Sequence, residues 1–98
     1  MAYEIRIAPA AERAIGKLSA QIQVAVLDKL EELAEDPRPA SCAKIRELAS
    51  YGVYRIRVGK DYRILYQVKD EAAWVLVVKV ADRKEIYQRL PDLKRLLK

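Results

Sequence analysis

The chain has 98 residues, 52% hydrophobic and 34% charged, with a formal charge of +5; such a composition suits one small globular domain with one core, not a disordered segment. It has no histidine and a single cysteine, Cys42, which excludes a Ser-His-Asp triad, a pair of catalytic histidines, a His-ligated metal, an intramolecular disulfide and a cysteine zinc cluster. The positive charge is uneven: residues 1–50 hold 7 Lys/Arg against 8 Asp/Glu, and residues 51–98 hold 12 against 6, so the excess lies in the second half and favours nucleic acid or an acidic protein partner.

In Tyr3–Ile7 the residues Tyr3, Ile5 and Ile7 alternate with Glu4 and Arg6, which predicts a short strand. The N-terminal run MAYEIRIAPAAER has charges where a signal peptide needs an apolar stretch, so a cytoplasmic protein is expected. Pro9 suits the first turn of a helix, and Ala11, Ala14, Ile15 and Leu18 follow at helical spacing. Ser19 is a candidate N-cap for a second helix running to about Glu35. Its apolar stripe is Ile22, Val26, Leu30 and Leu33, with Leu27 beside it. Two helices this short cannot bury both faces, so their stripes need a sheet to lie on. Asp36-Pro37-Arg38-Pro39 ends the second helix, because a residue before proline is pushed out of helical angles. Lys44–Leu48 reads either as a short strand or as a loop anchored by Ile45 and Leu48.

Tyr51–Val68 reads YGVYRIRVGKDYRILYQV and predicts a hairpin. Tyr54, Ile56 and Val58 fall on one face of the first strand, Arg55 and Arg57 on the other. Gly59-Lys60-Asp61 supplies the turn. On the second strand Tyr62, Ile64, Tyr66 and Val68 oppose Arg63, Leu65 and Gln67. Trp74–Val80 is apolar on both faces, as in a covered strand; alternation groups Trp74, Leu76, Val78 and Val80 against Val75 and Val77. Ile86, Leu90, Leu93 and Leu97 then stand at helical spacing, interrupted by Pro91, which predicts a helical turn, a break and a short C-terminal helix. Trp74 is assigned to the core, Tyr54, Tyr62 and Tyr66 to core or strand surface, and Lys94, Arg95 and Lys98 to a solvated tail. No repeat, low-complexity stretch or linker divides residues 1–98, so one domain is expected. The longest uncharged apolar run, Ala72–Val78, is far too short to span a bilayer, so no membrane partner is expected.

The three glycines, Gly16, Gly52 and Gly59, are scattered and form no phosphate-binding loop. A two-metal nuclease needs clustered carboxylates; near the basic hairpin Asp82 and Glu85 stand close, flanked by Arg83 and Lys84, and no metal site or other cofactor is expected. The remaining chemistry belongs to arginine, lysine and tyrosine. A rigid face of guanidinium groups suits a polyanion. Cleavage of RNA through its 2′-hydroxyl needs a base, cationic donors for the phosphorane, and an acid for the leaving 5′-oxygen. Tyrosine is a weak base at its ordinary pKa of about 10, and neighbouring arginines favour its phenolate.

YRIRVGKDYRILYQV followed by VLVVKVADRKEIY resembles the paired signature of the RelE/ParE superfamily of bacterial toxins, and the basic positions resemble its RelE branch. The resemblance spans the whole chain. It implies an α+β fold: a small, mostly antiparallel sheet on an N-terminal αα-hairpin, with a short C-terminal helix and an open basic face. It implies a toxin that enters the ribosomal A site, cleaves mRNA there without metal and is silenced by a RelB-like antitoxin. The alternative within the superfamily is a ParE-like poison of DNA gyrase, which acts by protein binding. By resemblance Arg63 stabilises the transition state at the phosphate, Arg83 stabilises the phosphate or the leaving group, and Tyr87 is the general base. Arg55 and Arg57 occupy two basic positions of the first motif, and Lys60 and Lys84 complete the RNA-binding set. Asp82 stands where many relatives carry glycine–histidine or lysine, and a carboxylate there can pair with Arg83 and lessen its positive field.

Overall fold

The structure, a computed structural model, describes residues 2–88 and 90–97. Strand β1 (Glu4–Ile7) leads into helices α1 (Pro9–Gly16) and α2 (Ala20–Glu35). The rest of the sheet is β2 (Ala43–Lys44), β3 (Val53–Val58), β4 (Tyr62–Lys69) and β5 (Trp74–Asp82), and the chain ends in α3 (Arg83–Gln88) and α4 (Leu90–Leu96). The α2 boundaries follow from its ends: the Ser19 hydroxyl accepts from the Ile22 N–H at 3.3 Å, and Asp36 before Pro37 leaves helical angles. Pro91 falls in the first turn of α4, where its missing N–H costs nothing. Lys98 lies outside the described residues.

The sheet order is β1-β5-β4-β3-β2. Only β1 runs parallel to its neighbour, β5; the other pairs are antiparallel. The first helices lie on one face, where Ala11, Val26, Leu30 and Leu33 pack against Ile56, Val58, Ile64, Tyr66, Val75, Val77 and Val80. This is the expected α+β architecture. Leu27 differs from expectation: it is 53% exposed, and Val24 one turn away is 58% exposed, so the buried stripe of α2 is narrow.

Three other expectations are corrected. The second face of the sheet is not open along its length. Val53, Leu65 and Ala81 point there and form a second core with Ile45 and Leu48 on one side and Ile86, Leu90 and Leu93 on the other. A 3-10 helix, Arg46–Tyr51, follows Ile45 and carries Leu48; this settles the ambiguous stretch after β2. Apolar side chains interleaved with the arginines need this cover, and only one end of the face stays open. The alternation of β5 also breaks. Leu65 pairs with Lys79 but Tyr66 pairs with Val77, so Val78 is an extra residue in a β-bulge. The bulge turns Val80 to the same side as Val75 and Val77. Trp74 is half-buried and belongs to neither core; the Arg6 guanidinium lies 4.9 Å from its ring centre.

A strap closes the far edge. The Arg38 guanidinium forks onto Asp70 at 2.8 and 3.0 Å and reaches the Tyr54 hydroxyl at 2.9 Å, while the Tyr3 hydroxyl donates to Asp70 at 2.8 Å. Beneath it the Tyr66 hydroxyl donates to the Pro37 carbonyl at 2.8 Å, and the Tyr66 ring stacks on Tyr54 with centroids 5.7 Å apart. Among the described residues, no helix is long and apolar enough to cross a membrane.

Candidate nucleic-acid interface

Arg63 is the centre of the open end. Its place on β4 turns it to the second face, and it is only 5% exposed. One guanidinium nitrogen donates to the Tyr62 carbonyl at 3.1 Å. Burial pushes its pKa down, and the charges of Arg57, Arg83 and Arg55 push the same way, with Tyr87 acting against them. Among the described residues, no carboxylate pairs with it. A buried charge is ordinarily matched by an opposite one, whereas this guanidinium has the Tyr62 carbonyl as its hydrogen-bond partner and like charges as its neighbours.

The register explains the crowding of positive charge. Arg57 lies directly across from Arg63 in the β3–β4 ladder, and Arg55 across from Leu65. Like charges directly opposite each other repel. The turn between the strands needs Gly59, whose φ is +62°. On the outer side β2 pairs Ala43 with Arg55 and brings Ser41 to the rim. Ser41, Ala43, Arg55, Arg57 and Arg63 line a cleft of about 320 Å³. Ser41 escapes sequence reading because its position depends on the two-residue strand that follows it.

On the other side of Arg63, β5 places Ala81 opposite it and then runs directly into α3. Arg83 and Tyr87 stand one helical turn apart and share a face. Ile86, 2% exposed, holds the helix down, and the Tyr87 side remains 44% exposed. Two contacts fix the start of the helix. The Arg83 N–H donates to the Asp61 carbonyl at 2.8 Å, and the Asp82 carboxylate accepts from the Glu85 N–H at 2.8 Å. The pairing with Arg83 that a carboxylate at Asp82 allows is not made: among the described residues no ion pair joins them, and the Asp82 carboxylate caps α3. Glu85 faces Lys79 at 3.8 Å.

A second cleft, of about 440 Å³, is lined by Asp61, Tyr62, Asp82, Arg83 and Lys84. The fold thus gathers Arg55, Arg57, Arg63, Arg83 and Tyr87 around one point, with Lys84 in the adjoining cleft. Lys60 is exposed in the β3–β4 turn and lines neither cleft. Among the described residues, no group of three or more carboxylates and thiols is arranged to hold a metal ion.

Residues 5–87 match the family described as ParE toxin of type II toxin-antitoxin systems. Toxin RelG of Mycobacterium tuberculosis is 34% identical over 90 residues, which cover 91% of this chain and all of that protein. The chain belongs to the RelE/ParE superfamily. Solved structures agree. A double arginine-to-alanine mutant of Escherichia coli toxin RelE in its free state superposes with a TM-score of 0.76 at 29% identity, covering 94% of this chain and 97% of that one. The toxin–antitoxin complex RelBE2 of M. tuberculosis gives a TM-score of 0.73 at 32% identity, covering 85% of this chain and all of the matched one. The intact E. coli RelBE complex gives 0.72 at 31%, covering 83% and 96%. This is a toxin of a toxin–antitoxin system with a RelE-like structure.

Proposed function

We propose that this toxin is a ribosome-dependent endonuclease that cuts mRNA in the A site without a metal ion or other cofactor. The observation that carries the reading is Arg63, buried without a carboxylate between Arg57, Arg83 and Tyr87. A scissile phosphate supplies the missing negative charge. Arg63 and Arg83 stabilise the charge that builds on the phosphorane, where fixed donors act most strongly. The Tyr87 phenolate takes the proton of the 2′-hydroxyl; the 2′-oxygen bonds to phosphorus, the bond to the 5′-oxygen breaks, and the leaving 5′-oxygen is protonated by solvent water, the hydroxide so formed taking the proton from Tyr87, so that the products are a 2′,3′-cyclic phosphate and a 5′-hydroxyl. Arg55, Arg57, Lys60 and Lys84 hold flanking phosphates. The ribosome as partner places this action in the cytoplasm.

A RelB-like antitoxin is the second partner, since related toxins form RelB–RelE complexes. An acidic segment of it covers the arginines, and charge complementarity of this kind speeds association. The gyrase-poison reading shares the superfamily but has no use for a buried arginine aimed at a phosphate. Expression of the chain without its partner separates the two. Mapped mRNA ends should cluster at in-frame codon positions while translation stops; DNA breaks with intact mRNA would favour gyrase.

A further inference from the structure

Asp82 is the last residue of β5 and directly precedes the helix that carries Arg83 and Tyr87. It closes the strand opposite Tyr62, and its side chain reaches forward to the Glu85 N–H at 2.8 Å. It is thus spent on the backbone of α3 and not on the adjacent guanidinium. The geometry points to Asp82 as a positioning residue that holds Arg83 and Tyr87 in register with Arg63; the inference rests on the endonuclease reading above.

The physical case begins with the length of α3. Arg83–Gln88 is a six-residue helix, and a helix this short does not form on its own strength. Its first turn has N–H groups without helical acceptors. Asp82 satisfies the one at Glu85, and the Asp61 carbonyl satisfies the one at Arg83 at 2.8 Å. Ile86 anchors the opposite side of the helix in the second core. With the cap removed, Ile86 still tethers the helix, but its first turn is free to fray. Arg83 lies in that turn, and Tyr87 follows one turn later. A catalytic group displaced by about 1 Å can lose two orders of magnitude in rate. The carboxylate's other effect, a negative charge beside Arg83, opposes phosphate binding. The two effects predict opposite outcomes for substitution, so they can be told apart.

Asparagine and serine cap helices about as well as aspartate, and alanine does not. The test compares Asp82→Ala, Asp82→Asn and Asp82→Ser with the wild-type protein in single-turnover cleavage of mRNA on programmed ribosomes. Asp82→Ala should cleave at least about tenfold more slowly at saturating protein, with little change in the concentration needed for half-saturation. Asn and Ser should restore the rate. An alanine variant as fast as wild type, or an asparagine variant as slow as alanine, would overturn the inference. Hydrogen exchange at the Glu85 amide, followed by NMR, is the independent measurement. It should quicken in Asp82→Ala and stay protected in the Asn and Ser variants; unchanged protection in Asp82→Ala would overturn the inference. If the wild-type protein cuts no mRNA, the endonuclease reading fails by itself, and the Glu85 exchange still decides whether Asp82 holds α3.

Discussion

The Arg83 N–H donates to the Asp61 carbonyl at 2.8 Å, which ties the tip of the β3–β4 hairpin to the first residue of α3. The hairpin carries Arg55, Arg57 and Arg63, and α3 carries Arg83 and Tyr87. This bond extends the β4–β5 ladder, in which Tyr62 pairs with Asp82, from the strands into the turn and the helix. The turn can deliver that carbonyl because Gly59 takes a φ of +62°.

Gly59→Ala tests this coupling. A Cβ there has open space, its nearest neighbour being Ile22 Cδ1 at 4.0 Å, so the cost is conformational: about 1–2 kcal/mol for a left-handed alanine. The variant should melt several degrees lower and cleave more slowly at temperatures where it remains folded. A variant with unchanged melting temperature and rate would show that the turn does not position α3.

Chemistry and docking should separate by residue. Tyr87→Phe keeps the ring and removes only the hydroxyl, and loss of a general base costs about 10²–10⁴-fold in rate. Arg83→Ala should also slow the cleavage step. Arg55→Ala and Arg57→Ala should instead weaken ribosome binding and reduce its salt dependence, as phosphate contacts do. Binding isotherms at two salt concentrations, alongside single-turnover rates, check the division.

The strap at Asp70 gives a pH dependence. The Arg38 fork, then the Tyr3 hydroxyl, hold the Asp70 carboxyl down at about 2, below its value of about 3.9 in an unfolded chain. The stabilisation is fully present above the unfolded value and is lost as pH falls through the folded one. Wild type should melt above Asp70→Asn at pH 6, and the gap should narrow as pH falls from 4 to 2. A gap as wide at pH 2 as at pH 6 would contradict this.

Tyr66→Phe probes the anchor under the strap. The Tyr66 side chain is fully buried, and its hydroxyl is the donor to the Pro37 carbonyl at 2.8 Å. Removing a donor from a buried acceptor costs about 1–3 kcal/mol. Urea unfolding should show a loss in that range.

Much of this was legible in the chain. The ends of α2 were written in Ser19 and Asp36-Pro37. The hairpin was written in the alternation of Val53–Val58 and in Gly59-Lys60-Asp61. The same alternation put Arg55, Arg57 and Arg63 on one face. The bulge at Val78 was not legible, because a strand apolar on both sides carries no signal of parity. The second core was hidden for a related reason: Val53 and Leu65 are single apolar residues among arginines, and what covers them comes from the 3-10 helix before β3 and from the C-terminal helices, up to 40 residues away. The role of Asp82 was not legible, because an ion pair with a neighbour and a cap three residues ahead look alike in sequence. Ser41 depended on a strand of two residues, too short to leave a pattern.

The most direct test concerns Arg63. Arg63→Lys keeps the positive charge but loses the planar fork that matches a phosphate. Its single-turnover rate on programmed ribosomes, at saturating protein and with an unchanged melting temperature, measures what the buried guanidinium does. The expected result is that wild type cuts within the A-site codon and Arg63→Lys is slower by at least about tenfold. Intact mRNA with the wild-type protein, or wild-type cleavage by Arg63→Lys, would contradict the account.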